Sequence, residues 1–275
     1  CNGNCSSCGS DCADRKAESL LASLNPKSTV KKVIAVVSGK GGVGKSSVSV
    51  NIARTLNERG NSVLLIDLDA GMRCLDLMLG VSDRLIFDLN DVLNKNKTLE
   101  EAIIRASNDS FDLHFLAAPL KEKPDPAALY DLITYACTRY DFVVLDFPAG
   151  AVDDLYKALP RYAEALVVCN ADAVSLRDAG IMGDSLKKLG LMSVRLILNR
   201  VSFQNMRRGI TANIDEAIDG CGLRLIGVIP QSMDIYVSCC SGKAIEPKSR
   251  AAKAFVRIAK RLLGYDIPLM SYKKI

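Results

Sequence analysis

The stretch VIAVVSGKGGVGKSS, residues 33–47, decides the fold of this chain. It opens with an apolar run of strand character, continues with a glycine-rich loop and leads into a segment of helix length, 46–59. Strand, glycine loop and helix in this order are the context of a P-loop, which binds the phosphates of a nucleotide. The P-loop pattern G-x-x-x-x-G-K-[ST] is completed by Gly39, Gly44, Lys45 and Ser46.

Short apolar runs recur along the rest of the chain and alternate with segments of helix length. Continuous apolar runs are typical of strands covered on both faces, and their alternation with helices predicts a mainly parallel sheet. We therefore predict an α/β chain with the three-layer P-loop NTPase fold, in which helices cover both faces of the sheet. The predicted strands are 33–37, 63–67, 113–117, 142–146, 165–169, 195–199 and 225–229, and the predicted helices are 46–59, 126–139, 174–189, 211–220 and 250–263.

The first thirty residues differ in composition from the rest of the chain. They are rich in Cys, Ser, Asn, Gly and Asp and lack a sustained apolar pattern, so we predict a cysteine-rich N-terminal tail over 1–30 and one P-loop domain over 31–275. A chain of 275 residues, 49 % hydrophobic and 24 % charged, is long enough to bury a sizeable core.

Composition also bears on location and partners. No apolar run reaches the roughly 18 residues of a membrane span, and the N-terminus lacks a signal-peptide pattern, so we expect a cytoplasmic protein. The net charge of +5 is mild and its basic residues are scattered, which does not favour a nucleic acid as partner. The one histidine, His114, lies in an apolar run, which favours a core residue over a catalyst.

The loop itself predicts how phosphate is held. Backbone N–H groups of residues 41–46 can converge on phosphate only where bulky side chains are absent, and glycine meets that condition. Lys45 is expected to reach the β- and γ-phosphates, and the Ser46 hydroxyl to bind Mg²⁺. Lys40 lies outside this minimal cradle. Its flexible ammonium suits contact with phosphates held by a second subunit, although a solvent-exposed loop lysine is the alternative.

Two aspartates end predicted strands, Asp67 in LLID and Asp146 in VVLD. A carboxylate at the carboxyl end of a parallel strand beside the P-loop can hold a water bound to Mg²⁺. The sequence therefore predicts a magnesium site formed by Ser46, Asp67 and Asp146.

The motif SGKGGVGKSS (38–47) resembles the deviant Walker A motif of the MinD/ParA/Mrp family of P-loop ATPases. The resemblance is to the MinD branch in particular, and it continues through 64–93, 111–119, 140–150, 195–201 and 225–232. It implies hydrolysis of ATP to ADP and phosphate, a homodimer that forms with ATP through Lys40, and a protein activator or effector. It also implies a role in division-site placement or a related form of spatial regulation.

The same resemblance implies roles for individual residues. Asp146 would be the Walker B residue, Asp69 would position the attacking water, Asn199 would contact adenine, and the backbone after Pro230 would complete the base pocket. For Asp69 a loop or capping aspartate is the alternative. A guanine-specific N-K-x-D is missing after a late strand, which favours ATP over GTP. The implied catalytic residues are Lys40, Lys45, Asp69 and Asp146, and the implied nucleotide-binding residues are Gly39, Lys40, Gly41, Gly42, Val43, Gly44, Lys45, Ser46, Ser47, Asn199 and Pro230.

Two positions depart from the MinD pattern. Cys74 stands where Asn is usual, and Phe147 follows Asp146 where Ser or Thr is usual. By the same resemblance, Asp67 and Asp69 lie in one switch segment, and Pro148, Ala149 and Gly150 form another that senses the γ-phosphate. Neither departure replaces a phosphate ligand, but both lie in these switch segments, so they bear on turnover and on coupling to a partner.

Four of the ten cysteines, Cys1, Cys5, Cys8 and Cys12, fall in the first twelve residues. Four thiolates so close together suit an iron–sulfur cluster or Zn²⁺, and the alternative is a reduced tail without metal. The segment resembles the N-terminus of some Mrp-type ATPases, which implies an alternative function as an iron–sulfur cluster carrier or assembly ATPase. A departure from that pattern is that Cys239 and Cys240 are adjacent, where a C-x-x-C is usual.

The segment RAAKAFVRIAKRLLG (250–264) is amphipathic and basic. It is either a helix that lies on an anionic membrane or, as we prefer, a surface helix packed on the sheet. By resemblance, a MinD membrane-targeting helix would follow it, whereas only YDIPLMSYKKI (265–275) does so here. We therefore expect at most a peripheral contact with the membrane, without stable binding.

Overall fold

A computed structural model describes residues 32–108 and 111–269 of the chain. The predicted tail over 1–30 lies outside the described residues. Over the described part, an eight-stranded sheet has the strand order β3-β4-β2-β5-β1-β6-β7-β8. The strands are β1 (Lys32–Val37), β2 (Val63–Asp67), β3 (Ile104–Asn108), β4 (Phe111–Leu116), β5 (Phe142–Asp146), β6 (Glu164–Cys169), β7 (Ser193–Val201) and β8 (Arg224–Pro230).

Helices cover both faces of this sheet. One buried apolar cluster joins the sheet to α1 and α10, and a second, on the other face, joins it to α5, α6 and α8. The predicted three-layer α/β fold is confirmed. The helices are α1 (Lys45–Asn57), α2 (Leu75–Leu79), α3 (Leu89–Leu93), α4 (Leu99–Ala102), α5 (Pro126–Arg139), α6 (Ala173–Lys188), α7 (Phe203–Arg207), α8 (Ile214–Cys221), α9 (Met233–Ser241) and α10 (Arg250–Leu262), with short 3₁₀ turns at Ser82–Arg84 and Asp154–Ala158.

Strand β1 lies at the point where the order of the strands reverses. It pairs in parallel with β5 on one side and with β6 on the other. In open α/β sheets, ligands bind beyond the carboxyl ends of the strands at such a switch point. The loop that follows β1 is the glycine-rich loop, so the topology places it where a ligand is expected.

The structure differs from the predicted elements at the edge of the sheet, at one helix start and in five further helices, α2, α3, α4, α7 and α9, which were not among the predicted ones. Strand β3 was not predicted; it pairs antiparallel with β4, unlike the other neighbouring pairs. The helix predicted from residue 211 begins at Ile214, because Asn213 caps it in a reciprocal pair of hydrogen bonds with Glu216.

The basic C-terminal helix α10 packs on the sheet. Its apolar side chains Phe255, Ile258 and Leu262 are fully buried, in one cluster with residues of β8 and α1. The preferred expectation, a surface helix with a covered apolar face, is therefore confirmed, and the membrane alternative for this helix is wrong because that face is occupied. Across residues 32–108 and 111–269, none of the helices combines the length and apolarity that crossing a membrane requires.

Candidate nucleotide-binding site

The glycine-rich loop runs from Ser38 to Gly44, and α1 begins directly after it. Gly44 has a φ of 90°, and a Cβ at this position would lie 2.4 Å from the Asn199 amide nitrogen. Only glycine fits both constraints. Val43 is buried, whereas a Cβ added at Gly41 or Gly42 would meet no atom within 4 Å. The loop is thus anchored at Val43 and open at its glycines, as a phosphate cradle requires.

Asp146 is the centre of a polar cluster at the end of β5. Its side chain is fully buried and pairs with the Lys45 ammonium, whose Nζ lies 2.9 Å from Oδ1. The Ser46 hydroxyl donates to Oδ2 at 2.8 Å, and the Ser49 hydroxyl donates to Oδ1 at 2.6 Å. The structure therefore brings together three of the predicted site residues. Ser49 was not predicted, although its position one helical turn after Lys45 places it on the same face of α1.

Asp67 lies beside Asp146, because β2 and β5 pair with these two residues in register. Its Oδ1 accepts a hydrogen bond from the Asp69 N–H at 3.0 Å, and its Oδ2 is buried without a hydrogen-bond partner. Burial, and then the charge of Asp146, raises the pKa of Asp67 to about 7. Asp69 is half-buried, and burial raises its pKa as well.

This arrangement fits a magnesium nucleotide. Mg²⁺ prefers hard oxygen ligands, and the Ser46 hydroxyl and the carboxylates of Asp67 and Asp146 supply them. The unpartnered Oδ2 of Asp67 is a buried acceptor that a water bound to the ion would satisfy. The Lys45 ammonium and the open glycines lie beside these oxygens and suit the phosphates.

Asp67 should make the stability of the nucleotide-free protein depend on pH. Its folded-state pKa of about 7 exceeds the ordinary value of 3.8, so the folded state holds the proton more tightly. The resulting stabilisation is complete below pH 3.8 and is lost as the pH rises through 7. Asp67→Asn keeps the Oδ1 acceptor and carries no charge. We expect it to raise the free energy of unfolding at high pH by up to about 4 kcal/mol.

Urea unfolding in EDTA, at one pH above 7 and one near 5, measures this effect. The gain from Asp67→Asn should be clearly larger at the higher pH. An equal gain at both pH values would show that the Asp67 carboxylate does not cause the pH dependence of the free energy of unfolding. Asp83→Asn, at an exposed position, is the matched control and should change little at either pH.

The other side of the loop faces a cavity of about 680 Å³. Gly44, Ser47, Asn199 and Pro230 all line it, so the predicted base-binding residues share one cavity with the loop. The Asn199 amide donates to the Val43 carbonyl at 2.8 Å, which ties the end of β7 to the loop. Arg200 was not predicted as a site residue, yet its guanidinium donates to the Gly42 carbonyl at 2.9 Å.

Lys40 is exposed at the start of the loop and interacts electrostatically with Asp172, the residue that caps α6. Its side chain takes no part in the Asp146 cluster. His114 is half-buried in β4, and its Nδ1 lies 2.6 Å from the Tyr140 hydroxyl. It is therefore less buried than the core position that the sequence predicts, and its lack of a catalytic role stays a prediction.

The two departures from the MinD pattern have defined surroundings. Phe147 is fully buried and stacks on Tyr156, with ring centroids 4.4 Å apart. It therefore anchors the chain directly after Asp146 in the core. Cys74 stands at the N-cap position of α2, without a side-chain capping hydrogen bond, and lines the cavity. Burial raises the pKa of its thiol to about 11.

The cysteines of the predicted metal segment, Cys1, Cys5, Cys8 and Cys12, lie outside the described residues. Within the part of the chain that the structure describes, no group of three or more His, Cys, Asp and Glu side chains is arranged to hold a metal ion.

Comparison with known proteins identifies the class to which this site belongs. The model of the CobQ/CobB/MinD/ParA nucleotide binding domain family matches residues 34–245, which include the glycine loop, both strand-end aspartates and Asn199. The chain belongs to this family of nucleotide-binding domains.

Within the family, the similarity is to MinD proteins. The septum site-determining protein MinD of Helicobacter pylori is 34% identical over 252 residues, which are 88% of this chain and 94% of the relative. A chain of the MinC:MinD cell division protein complex of Aquifex aeolicus superposes with a TM-score of 0.81 at 31% identity, covering 88% of this chain and 99% of that one. MinD of Pyrococcus horikoshii complexed with Mg-ADP has a TM-score of 0.73 at 33% identity, covering 84% and 95%. The chain is thus a MinD-type P-loop ATPase, as its motifs predicted.

Proposed function

We propose that this chain is an ATP-dependent dimerising switch that hydrolyses ATP to ADP and phosphate and acts in septum-site placement. The observation that carries the proposal is the cluster of Lys45, Ser46 and Asp146 at the switch point of the sheet, with Lys40 exposed beside it. The septum-site role is supported by the names of the MinD relatives.

The proposed mechanism assigns each site residue a task. The backbone of residues 41–46 and the Lys45 ammonium bind the phosphates. Ser46, Asp67 and Asp146 would hold Mg²⁺, which would neutralise charge at the phosphate oxygens. Asp69 orients the attacking water. Because Lys45 pairs with Asp146 in the present structure, ATP binding exchanges a carboxylate partner of the ammonium for a phosphate.

The base is proposed to occupy the 680 Å³ cavity on the other side of the loop. Asn199 and the backbone after Pro230 border this cavity, and Asn199 already joins it to the loop through the Val43 carbonyl. A movement of the loop on phosphate binding would therefore move Asn199 in the base cavity. Binding of the base would, in turn, shift the loop.

Substitution of Lys40 tests the proposed ATP-dependent dimer. Lys40→Ala should abolish the ATP-dependent dimer and lower turnover by about three orders of magnitude, as the loss of a charge supplied in trans does. Binding of ATP to the monomer should persist, because Lys45 and the loop remain. Gel filtration with ATP, on a background of Asp69→Ala to prevent turnover, measures the dimer.

Lys188→Ala is the matched control, because Lys188 is an exposed lysine at the far end of α6. It should dimerise like the parent. A dimer that forms equally well with Lys40→Ala would contradict the trans role and leave Lys40 as a solvent-exposed loop residue.

The switch is proposed to act on a protein effector. One similar structure is a MinC:MinD complex, which supports a protein effector as the partner. The exposed positions of Met72 and Leu77, in and beside α2, place apolar side chains near the nucleotide site, where they would respond to its occupancy.

A second function, as an iron–sulfur cluster carrier, rests on the spacing of Cys1, Cys5, Cys8 and Cys12. Iron, sulfide and zinc per chain, measured anaerobically in the full protein and in a variant with these four residues changed to serine, separate the two functions. Iron and sulfide that are lost in the variant would support the carrier. If both proteins contain neither iron nor zinc and hydrolyse Mg-ATP equally, the positioning switch is the function that remains.

A further inference from the structure

Three cysteines line the cavity beside the phosphate loop. They are Cys74, Cys239 and Cys240, and all three are free thiols. Cys240 is exposed, and Cys239 is half-buried with its Sγ 3.2 Å from the Ser47 hydroxyl oxygen. A thiol of α9 thus contacts the first turn of α1, directly after the loop.

The α9 thiols are open to small electrophiles. Cys239 and Cys240 both line the cavity, and Cys240 is exposed. The outer face of α9 is open, since Met233, Tyr236 and Val237 are exposed. A small molecule can therefore reach the cavity wall from solvent.

We propose that Cys239 and Cys240, the α9 thiol pair, are a modification site for small disulfides and that the resulting adduct excludes the nucleotide from the cavity. This inference rests on the nucleotide site proposed above. It adds regulation of nucleotide binding by thiol modification, through residues that lie outside the P-loop motifs.

The chemistry is thiol–disulfide exchange. A thiolate of the pair attacks one sulfur of a low-molecular-weight disulfide, the S–S bond of that disulfide breaks, and a mixed disulfide forms on α9. The other half leaves with the electron pair and takes up a proton to become a free thiol. The cysteine sulfur is oxidised and the leaving sulfur is reduced, so the exchange is reversed by an excess of a small thiol.

The position of the pair explains why the adduct would block binding. The adduct projects from the cavity wall that also carries Ser47, Asn199 and Pro230. Because Cys239 is in contact with Ser47, an adduct there leaves no room for a nucleotide that joins the loop to the base cavity. Occupancy by nucleotide should, for the same reason, shield the pair from the disulfide.

The first test measures this shielding on the full chain. The protein is treated with glutathione disulfide with and without Mg-ADP, and adducts are located by mass spectrometry in the unreduced tryptic peptide 225–243, which contains the pair. Mg-ADP at about 100 times its dissociation constant should slow adduct formation roughly 100-fold, because only the free site reacts. Labelling of Cys137, in α5 and away from the cavity, is the internal reference and should not change.

The second test measures the consequence for binding. Glutathione disulfide should abolish ADP binding by the parent and by Cys137→Ser, and dithiothreitol should restore it. The double variant Cys239→Ser/Cys240→Ser should keep the same ADP affinity before and after treatment. Sensitivity that persists in the double variant, or full ADP binding by protein that carries the adduct on α9, would overturn the proposal.

The two tests also separate this proposal from the nucleotide site itself. If the untreated parent fails to bind Mg-ADP, the proposed nucleotide site is wrong. If it binds Mg-ADP but the pair is labelled equally fast with the site filled, the thiol proposal alone is wrong. The shielding measurement uses the parent protein, so it remains decisive if the double variant does not fold.

Discussion

Asp69→Ala is expected to lower the rate of ATP hydrolysis about 10²- to 10⁴-fold, while ATP binding and the ATP-dependent dimer persist. Asp69 is the half-buried carboxylate next to the buried Asp67, and both Lys45 and Asp146 act on it electrostatically. A carboxylate in this position can accept a proton from water and hold it in one orientation. The phosphate contacts of Lys45 and the loop do not depend on it, so the loss should be confined to turnover.

Phosphate release from a single turnover gives the rate, and a fluorescent ATP analogue gives the affinity. Asp83→Ala, at an exposed position in the 3₁₀ turn after α2, is the control and should hydrolyse ATP like the parent. Normal turnover by Asp69→Ala would support the alternative role of a turn residue, because the one hydrogen bond that Asp69 gives to Asp67 comes from its backbone N–H and survives the substitution.

The central part of the fold was predictable because its signal is local. Strands such as β2 and β5 are continuous apolar runs that end in an aspartate, and α5 begins at a proline that follows a capping aspartate. Strand β3 has no such signal. Its sequence, IRASN, is short and largely polar, and only pairing with β4 makes it a strand.

The same distinction holds for the site. Lys45, Ser46, Asp67 and Asp146 belong to motifs, and the structure places them together, although their roles in catalysis remain predictions. Cys239 comes to the phosphate loop through tertiary packing across 192 residues of sequence, and no local pattern indicates that contact. Phe147 departs from the family pattern. Only the structure explains this departure, because it shows the Phe147 ring stacked on Tyr156.

Arg54 has a structural role that no pattern in the sequence indicated. An arginine is usually exposed in a folded protein, yet Arg54 is 2% exposed. Its Nη1 donates to the Lys243 carbonyl at 2.8 Å and its Nη2 donates to the Gly242 carbonyl at 2.7 Å. It also donates to the Met78 carbonyl at 3.2 Å and to the Ser238 hydroxyl at 3.3 Å. One cation thus joins α1 to the ends of α2 and α9.

Arg54→Leu should lower the free energy of unfolding by about 2 kcal/mol. The substitution removes the guanidinium donor from the carbonyls of Met78 and Gly242, whereas the Lys243 carbonyl keeps its hydrogen bond from the Ser238 hydroxyl. Each partly buried acceptor without a partner costs about 1 kcal/mol or more. Packing cannot compensate by a closer approach of the two helix ends, because Gly80 and Gly242 already touch: a Cβ at Gly242 would lie 2.7 Å from the Gly80 Cα.

Urea unfolding measures the loss, and Arg59→Leu, at an exposed position after α1, should stay within about 0.5 kcal/mol of the parent. The affinity of the variant for Mg-ADP tells whether Arg54 also holds the nucleotide cavity in its binding conformation. Both α2 and α9 border the cavity. Loss of the Arg54 hydrogen bonds that join them should therefore lower the affinity for Mg-ADP as well as the free energy of unfolding. A variant that is as stable as the parent would mean that water replaces the guanidinium at those carbonyls.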